Sequence, residues 1–208
     1  MIEKYYNYHN FFNIDKDKKF DKNNLIIIKN FEVFQQLKDN TCGPCCANMV
    51  LNFYGDKTFS EDKIKKIMKT KKFPIGTDFN DFYNFFEKYI ESNKNFKLIS
   101  SINSKKDKNG QVFSTFKKFK QFVLNYLKMG CPIIVENVDY GGHYKIIIGY
   151  DISEDSEEED MLIFADPFSK IGGYAYQEAE RFYYMWFDAK CFSKENRCQP
   201  FLILQKIK

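Results

Sequence analysis

The chain has 208 residues, 32 basic and 28 acidic side chains, and a net charge of +4, with 44% hydrophobic and 18% aromatic residues. This is enough apolar material for one domain with a sizeable core and too much for a disordered chain. The charge is too evenly balanced to imply nucleic acid, and no window approaches a membrane span.

Residues 1–30 read as a lead-in and 31–208 as the domain proper. The lead-in mixes Tyr and Phe with Asp, Lys and Asn and has no apolar run of signal-peptide type. The six cysteines, with Cys45 beside Cys46, do not form a spaced disulfide framework. Together these features place the chain in a reducing, cytoplasmic setting.

Leu25 to Ile28 suits a short strand, and Phe31 to Gln36 then leads to the turn-prone run Lys38-Asp39-Asn40-Thr41. A helix is predicted from about Gly43 to Phe53, because Cys46, Met49, Val50 and Phe53 recur at helical spacing and Gly55 can close it. Ser60 offers an N-cap for a second helix through Ile64, Ile67 and Met68. A third runs from Asp78 to about Glu91, and its Phe79, Phe82, Tyr83, Phe86, Tyr89 and Ile90 form an aromatic face expected to press on the first helix. Phe96 to Ser101 suits a strand, and Phe116 to Lys128 a further helix closed by Gly130.

The periodicity then changes. Pro132 to Glu136, Tyr144 to Tyr150, Met161 to Ala165 and Phe201 to Leu204 are short β-type runs joined by turn residues. A helical first half before an antiparallel sheet gives an α+β fold, with the first helix packed on the sheet. The acidic stretch from Ser153 to Asp160 reads as a solvated turn.

Cys42 stands at the start of the first predicted helix, where unpaired N–H groups and the helix dipole favour a thiolate. A nucleophilic cysteine needs a base, and the chain has two histidines. His9 lies in the aromatic lead-in, whereas His143 follows Gly141-Gly142 at the mouth of a hydrophobic strand. If that strand and Met161 to Ala165 form a hairpin, Asp166 at the end of one lies beside His143 at the start of the other and can orient its imidazole. Gln36, six residues before Cys42, can supply an amide that joins the Cys42 N–H as an oxyanion hole. Each signal alone is weak; the order Gln, Cys, His, Asp on suitable elements is what gives them weight.

The segment Gln36 to Gly55, the strand from Gly141-Gly142-His143-Tyr144 to Asp151 and the turn Ala165-Asp166-Pro167 resemble the papain-like cysteine peptidases of the C39 type. This resemblance extends over roughly residues 31 to 205, and the chain is also similar to the stand-alone group called guanylyl cyclase domain proteins. Asn or Asp can fill the orienting role in papain-like enzymes, so the resemblance makes Asn137 a spare candidate for it. The C39 resemblance implies a papain-like fold with Cys42 as nucleophile, His143 as base, Asp166 as orienter and Gln36 as oxyanion donor. It implies a cysteine peptidase or related thiol hydrolase acting on a peptide or protein substrate through an acyl-enzyme thioester, with no cofactor and no metal. Members that cut leader peptides are attached to transporters, and no transporter segment occurs here.

Four alternatives stay open. A papain-like acyl transferase uses the same site, and a binding or scaffold protein keeps the fold without turnover. Cys42-Gly43-Pro44-Cys45 is the string of thioredoxin-like oxidoreductases, although the strand and tryptophan that precede it there are missing. Cys42 and Cys45 also have zinc-ligand spacing, without a second matching pair.

Overall fold

The computed structural model describes residues 24–73, 75–137, 142–154, 156–168, 174–187 and 197–207. A closed turn sets where the first helix begins. The Thr41 N–H donates to the Lys38 carbonyl at 3.0 Å; the Thr41 hydroxyl donates to the same oxygen at 2.8 Å and accepts from the Lys38 N–H at 3.0 Å. The chain leaves this turn as α1, Cys42–Phe53, whose N-cap Thr41 makes no side-chain cap because its hydroxyl is already engaged. Pro44 is tolerated in this first turn because an N–H there would have no partner within the helix. Gly55, at φ +89°, takes the left-handed conformation that ends the helix.

The next helices start on side-chain caps. Ser60 Oγ accepts from the Lys63 N–H ahead of α2, Glu61–Ile67, and an Asp78 carboxylate oxygen accepts from the Asn80 N–H ahead of α3, Phe79–Ser92. Thr115 does the same for Lys118 at the start of α4, Phe116–Lys128. A fifth helix, α5, Ala179–Met185, follows a strand that the sequence pattern did not show.

The strands are β1 Leu25–Ile27, β2 Phe96–Ser100, β3 Ile133–Asn137, β4 His143–Asp151, β5 Met161–Ala165, β6 Tyr174–Glu178 and β7 Phe201–Lys206. They form one seven-stranded antiparallel sheet in the order β2-β7-β3-β4-β5-β6. β1 pairs with the far end of β4, where Leu25 to Ile27 oppose Asp151 to Gly149, beyond the stretch of β4 that β3 occupies. The last residues of the expected lead-in therefore contribute to the sheet.

The domain is α+β, as the pattern predicts. α1 is buried along most of its length and packs on β4, which is itself buried from His143 to Tyr150. α4 packs on β4 and β1, and α5 packs on α4 through rings such as Phe119, Phe182 and Trp186. No helix among the described residues is long and apolar enough to cross a membrane.

Three expectations change. The aromatic face of α3 meets Tyr144 on β4 through Phe82, Phe59 through Phe85, and Phe96 on β2 through Tyr89, rather than lying chiefly on α1. The acidic turn is not solvated throughout, because Asp160 is fully buried. It accepts from the Tyr150 hydroxyl at 2.7 Å and the Ser153 N–H at 2.9 Å and pairs with Lys120 at 2.6 Å, while Glu157 to Glu159 stay exposed. β6 escaped notice because Tyr-Ala-Tyr-Gln-Glu is a half-buried edge strand with no aliphatic run.

Candidate active site

α1 begins at Cys42 itself, so the sulfur sits at the positive end of a helix that the core holds rigid. His143 is the first residue of β4, preceded by Gly142 at φ +115°, a conformation that L side chains rarely adopt. β5 runs antiparallel to β4 and pairs Ala165 with Ile146, which brings the following Asp166 back toward the start of β4. The expected hairpin thus exists, and His143 Nε2 and Asp166 Oδ1 are 2.7 Å apart. The Cys42 side chain hydrogen-bonds to the same imidazole. Since Asp166 occupies Nε2, Nδ1 is the nitrogen that faces the sulfur.

The electrostatics follow from this sandwich. Burial acts to raise the Cys42 thiol pKa. A hydrogen bond and charge from His143, together with the backbone N–H groups of Tyr144 and Gly43, outweigh it and bring the pKa below the ordinary thiol value. Burial likewise disfavours a charged His143, but Asp166 on one side and Cys42 on the other raise its pKa to about 10. For Asp166 burial acts upward, while His143, the Phe168 N–H and the nearby Lys145 hold its pKa below the usual carboxylate value. These shifts favour a thiolate beside an imidazolium with a carboxylate behind it.

The site is more enclosed than the partly exposed cleft that the mechanism suggests: Cys42 is 7% and His143 4% exposed. Cys42 belongs to a buried helix, and the Phe168 ring stands at 78° to the His143 ring with the centroids 6.2 Å apart. Specificity is expected to be shaped by the loops near Phe73 to Asp78, Asn137 to Gly142 and Phe168 to Tyr174; of these, residues 74, 138–141 and 169–173 lie outside the described residues, as does His9.

Gln36 lies on the irregular segment that precedes α1. Its N–H donates to the Pro167 carbonyl at 2.9 Å, tying it to the Asp166-Pro167 turn. Its Nε2 donates to the Lys38 carbonyl at 2.8 Å, leaving one amide hydrogen without a described partner. The reversed amide would set two acceptor oxygens against each other, so this orientation is fixed. Asn137 is buried directly across the β3–β4 ladder from His143, but Asp166 already holds the ring nitrogen that the spare candidate would have taken.

Sequence reasoning passed over Thr77 and Glu61. Thr77 lies against Gly43, where an added Cβ would meet Thr77 Oγ1 at 3.0 Å, and its carbonyl accepts from the Tyr144 hydroxyl at 3.1 Å. Glu61 is buried beneath the segment that carries Gln36. Neither residue has a sequence signature; contacts across the fold alone reveal them.

An antiparallel sheet with a cysteine-bearing helix packed on it, and a His–Asp pair at adjoining strand ends, defines the class: a papain-like α+β domain of the cysteine-peptidase type. The chain matches the Peptidase_C39 like family over residues 28–193, most of its length, and belongs to that family. The peptidase domain of Streptococcus ComA, described as a bifunctional ABC transporter involved in quorum sensing, is similar at 18% identity and a TM-score of 0.54, covering 86% of this chain and 100% of that one. A double-glycine motif protease from an AMS/PCAT transporter, solved with its leader peptide, aligns at 14% identity and a TM-score of 0.49 over 87% of this chain and 98% of its own. No curated protein matches.

This fold replaces the thioredoxin-like alternative. Cys42-Gly43-Pro44-Cys45 opens a helix on an antiparallel sheet, with Cys42 turned to His143 and Cys45 fully buried. Among the described residues, no cluster of His, Cys, Asp and Glu is arranged to hold a metal ion.

Proposed function

We propose that this protein is a cysteine peptidase that works through an acyl-enzyme thioester. The observation that carries the reading is the imidazole of His143 held between the Cys42 sulfur and the Asp166 carboxylate, 2.7 Å away. In this reading the Cys42 thiolate attacks the carbonyl carbon of a peptide or protein substrate, forming the carbon–sulfur bond. The spare amide hydrogen of Gln36 and the Cys42 N–H receive the charge on the carbonyl oxygen. As the carbon–nitrogen bond breaks, His143 gives its proton to the leaving amine. It then takes a proton from the water that hydrolyses the thioester. Asp166 keeps the ring oriented throughout and stabilises its protonated form before acylation and after deacylation. A reducing, cytoplasmic compartment suits a site that depends on a free thiolate. The ordered chemistry needs no cofactor.

p-Nitrophenyl acetate, whose acylation reports the same oxyanion step without a known peptide, tests the reading. Wild type should acetylate Cys42, identified by peptide mass spectrometry, and release the acetyl group to water; Cys42→Ala and His143→Ala should do neither. Equal turnover in Cys42→Ala and wild type would overturn the proposal. Release only on addition of an amine acceptor would redirect it to acyl transfer. Cleavage of a diverse peptide mixture by wild type, absent in Cys42→Ala, would then establish the peptidase step.

A further inference from the structure

Glu61 is the first residue of α2 and is 5% exposed, an uncommon position for a carboxylate. One of its oxygens accepts from the Leu37 N–H at 2.9 Å. The same carboxylate lies close enough to Cys45, one helical turn beyond Cys42, to push its thiol pKa up in addition to burial. Leu37 adjoins Gln36, so one buried carboxylate ties the segment carrying the amide to α2, which packs against the helix carrying the sulfur.

The rest of that segment has no regular secondary structure, and its backbone is held by individual bonds. The Phe34 carbonyl meets the Cys45 thiol at 3.5 Å, the Gln36 N–H donates to Pro167, and the Lys38 N–H donates to Thr41. Among these partners Glu61 alone comes from α2 and alone is an ionisable acceptor. Leu37 itself is 64% exposed, so side-chain burial does not anchor it. Without Glu61 the Leu37 N–H loses its acceptor, and the peptide joining Gln36 to Leu37 is held only by the bonds on either side of it, at the Gln36 and Lys38 N–H groups.

We infer that Glu61 is a positioning residue that sets the distance between the Gln36 amide and the Cys42 sulfur, and thereby the stabilisation of the oxyanion. The inference rests on the peptidase reading above. It separates two reactions of the same thiolate. Alkylation by iodoacetamide forms the sulfur–carbon bond as iodide leaves, with no oxyanion. Acylation by p-nitrophenyl acetate forms the sulfur–carbon bond at a carbonyl, places charge on its oxygen and then expels p-nitrophenolate.

The test compares both rates in wild type, Glu61→Ala, Glu61→Gln and Glu61→Met. Displacing a group near the reacting atoms costs up to roughly a hundredfold. Acylation in Glu61→Ala should therefore fall about tenfold to a hundredfold, while the rate and pH profile of Cys42 alkylation match wild type. Glu61→Gln keeps an acceptor for the Leu37 N–H and should restore acylation. Glu61→Met fills the space without an acceptor and should behave as Glu61→Ala, which keeps the test valid if the Ala variant does not fold. Equal losses in alkylation and acylation would mean a merely structural role, and acylation at the wild-type rate in Ala and Met would mean no role; either overturns the inference. Absence of acylation in wild type would instead remove the peptidase reading on which it rests.

Discussion

Asp166 Oδ1 stands 2.7 Å from Nε2 of His143, and the same carboxylate oxygen accepts from the Phe168 N–H at 2.9 Å. The carboxylate is therefore fixed independently of the ring that it orients. Asp166→Asn keeps an acceptor for both groups and removes the charge that chiefly raises the His143 pKa. On the proposed mechanism acylation needs Cys42 ionised and His143 protonated, so the wild-type rate should be lost as pH rises through about 10. In Asp166→Asn that basic limb should move to lower pH. The neutral-pH rate should fall on the order of tenfold to a hundredfold, about 1.4 to 2.7 kcal/mol. The pH–rate profiles of the two proteins check this; an unmoved basic limb would refute it.

The thiolate should be visible without any substrate. Because His143 lowers the Cys42 pKa, alkylation by iodoacetamide should stay fast well below the free-thiol value of about 8.5. His143→Ala removes that charge and leaves burial, which acts upward. Its alkylation should fade near neutral pH and return only under alkaline conditions. Rates measured from pH 5 to 10, with the modified peptide identified, read this directly; identical curves would exclude the ion pair.

Cys45 and Cys46 should be silent in the same experiment. Both are fully buried, and burial pushes both thiols well up. Native protein should be modified at Cys42 first, and at Cys45 and Cys46 only after unfolding. A Cys42 that reacts only once reductant is added would instead reveal a bond to Cys45.

Gly43→Ala should damage the fold next to the site. Its Cβ would lie 3.0 Å from Thr77 Oγ1, 3.1 Å from Thr77 Cβ and 3.4 Å from Tyr144 Cδ2. Thr77 cannot easily give way, because its hydroxyl shares a hydrogen bond with Thr70 at 2.8 Å and its carbonyl holds the Tyr144 hydroxyl. Overpacking of this kind costs about 1 to 3 kcal/mol. Thermal unfolding should register the loss, whereas an unchanged transition would show that the turn yields.

Asp160→Ala should be the most destabilising of these changes. It leaves Lys120, Tyr150 and the Ser153 N–H without their buried acceptor, and breaking a buried pair costs about 3 to 5 kcal/mol. Chemical denaturation should show it. Neutralising the exposed Glu158 should change stability by less than about 0.5 kcal/mol.

Local signals carried much of this protein. Ser60, Asp78 and Thr115 cap helices, and Gly55 and Gly130 take positive φ just beyond two helix ends. The aliphatic runs of β3, β4, β5 and β7 are legible because buried strands tolerate little else. Cys42 at a helix start, His143 opening a strand and Asp166 closing another could be named because each sits at an element boundary that the pattern reveals. β6 could not, since an edge strand of tyrosines, Ala, Gln and Glu lacks the apolar alternation that marks a strand.

By itself the sequence determined the α+β class, the boundaries of most elements and the residue types available for thiol chemistry, because these depend on neighbours within a few positions of one another. Only the tertiary structure decided which ring nitrogen Asp166 holds, that Asn137 lies across the β3–β4 ladder from His143, and how deeply Cys42 and His143 are enclosed. It alone brought Glu61 to the Leu37 N–H and buried Asp160 against Lys120 and Tyr150. Those relationships join residues distant along the chain. They are fixed by strand pairing and by the need of every buried charge and N–H for a partner, and neither has a local trace.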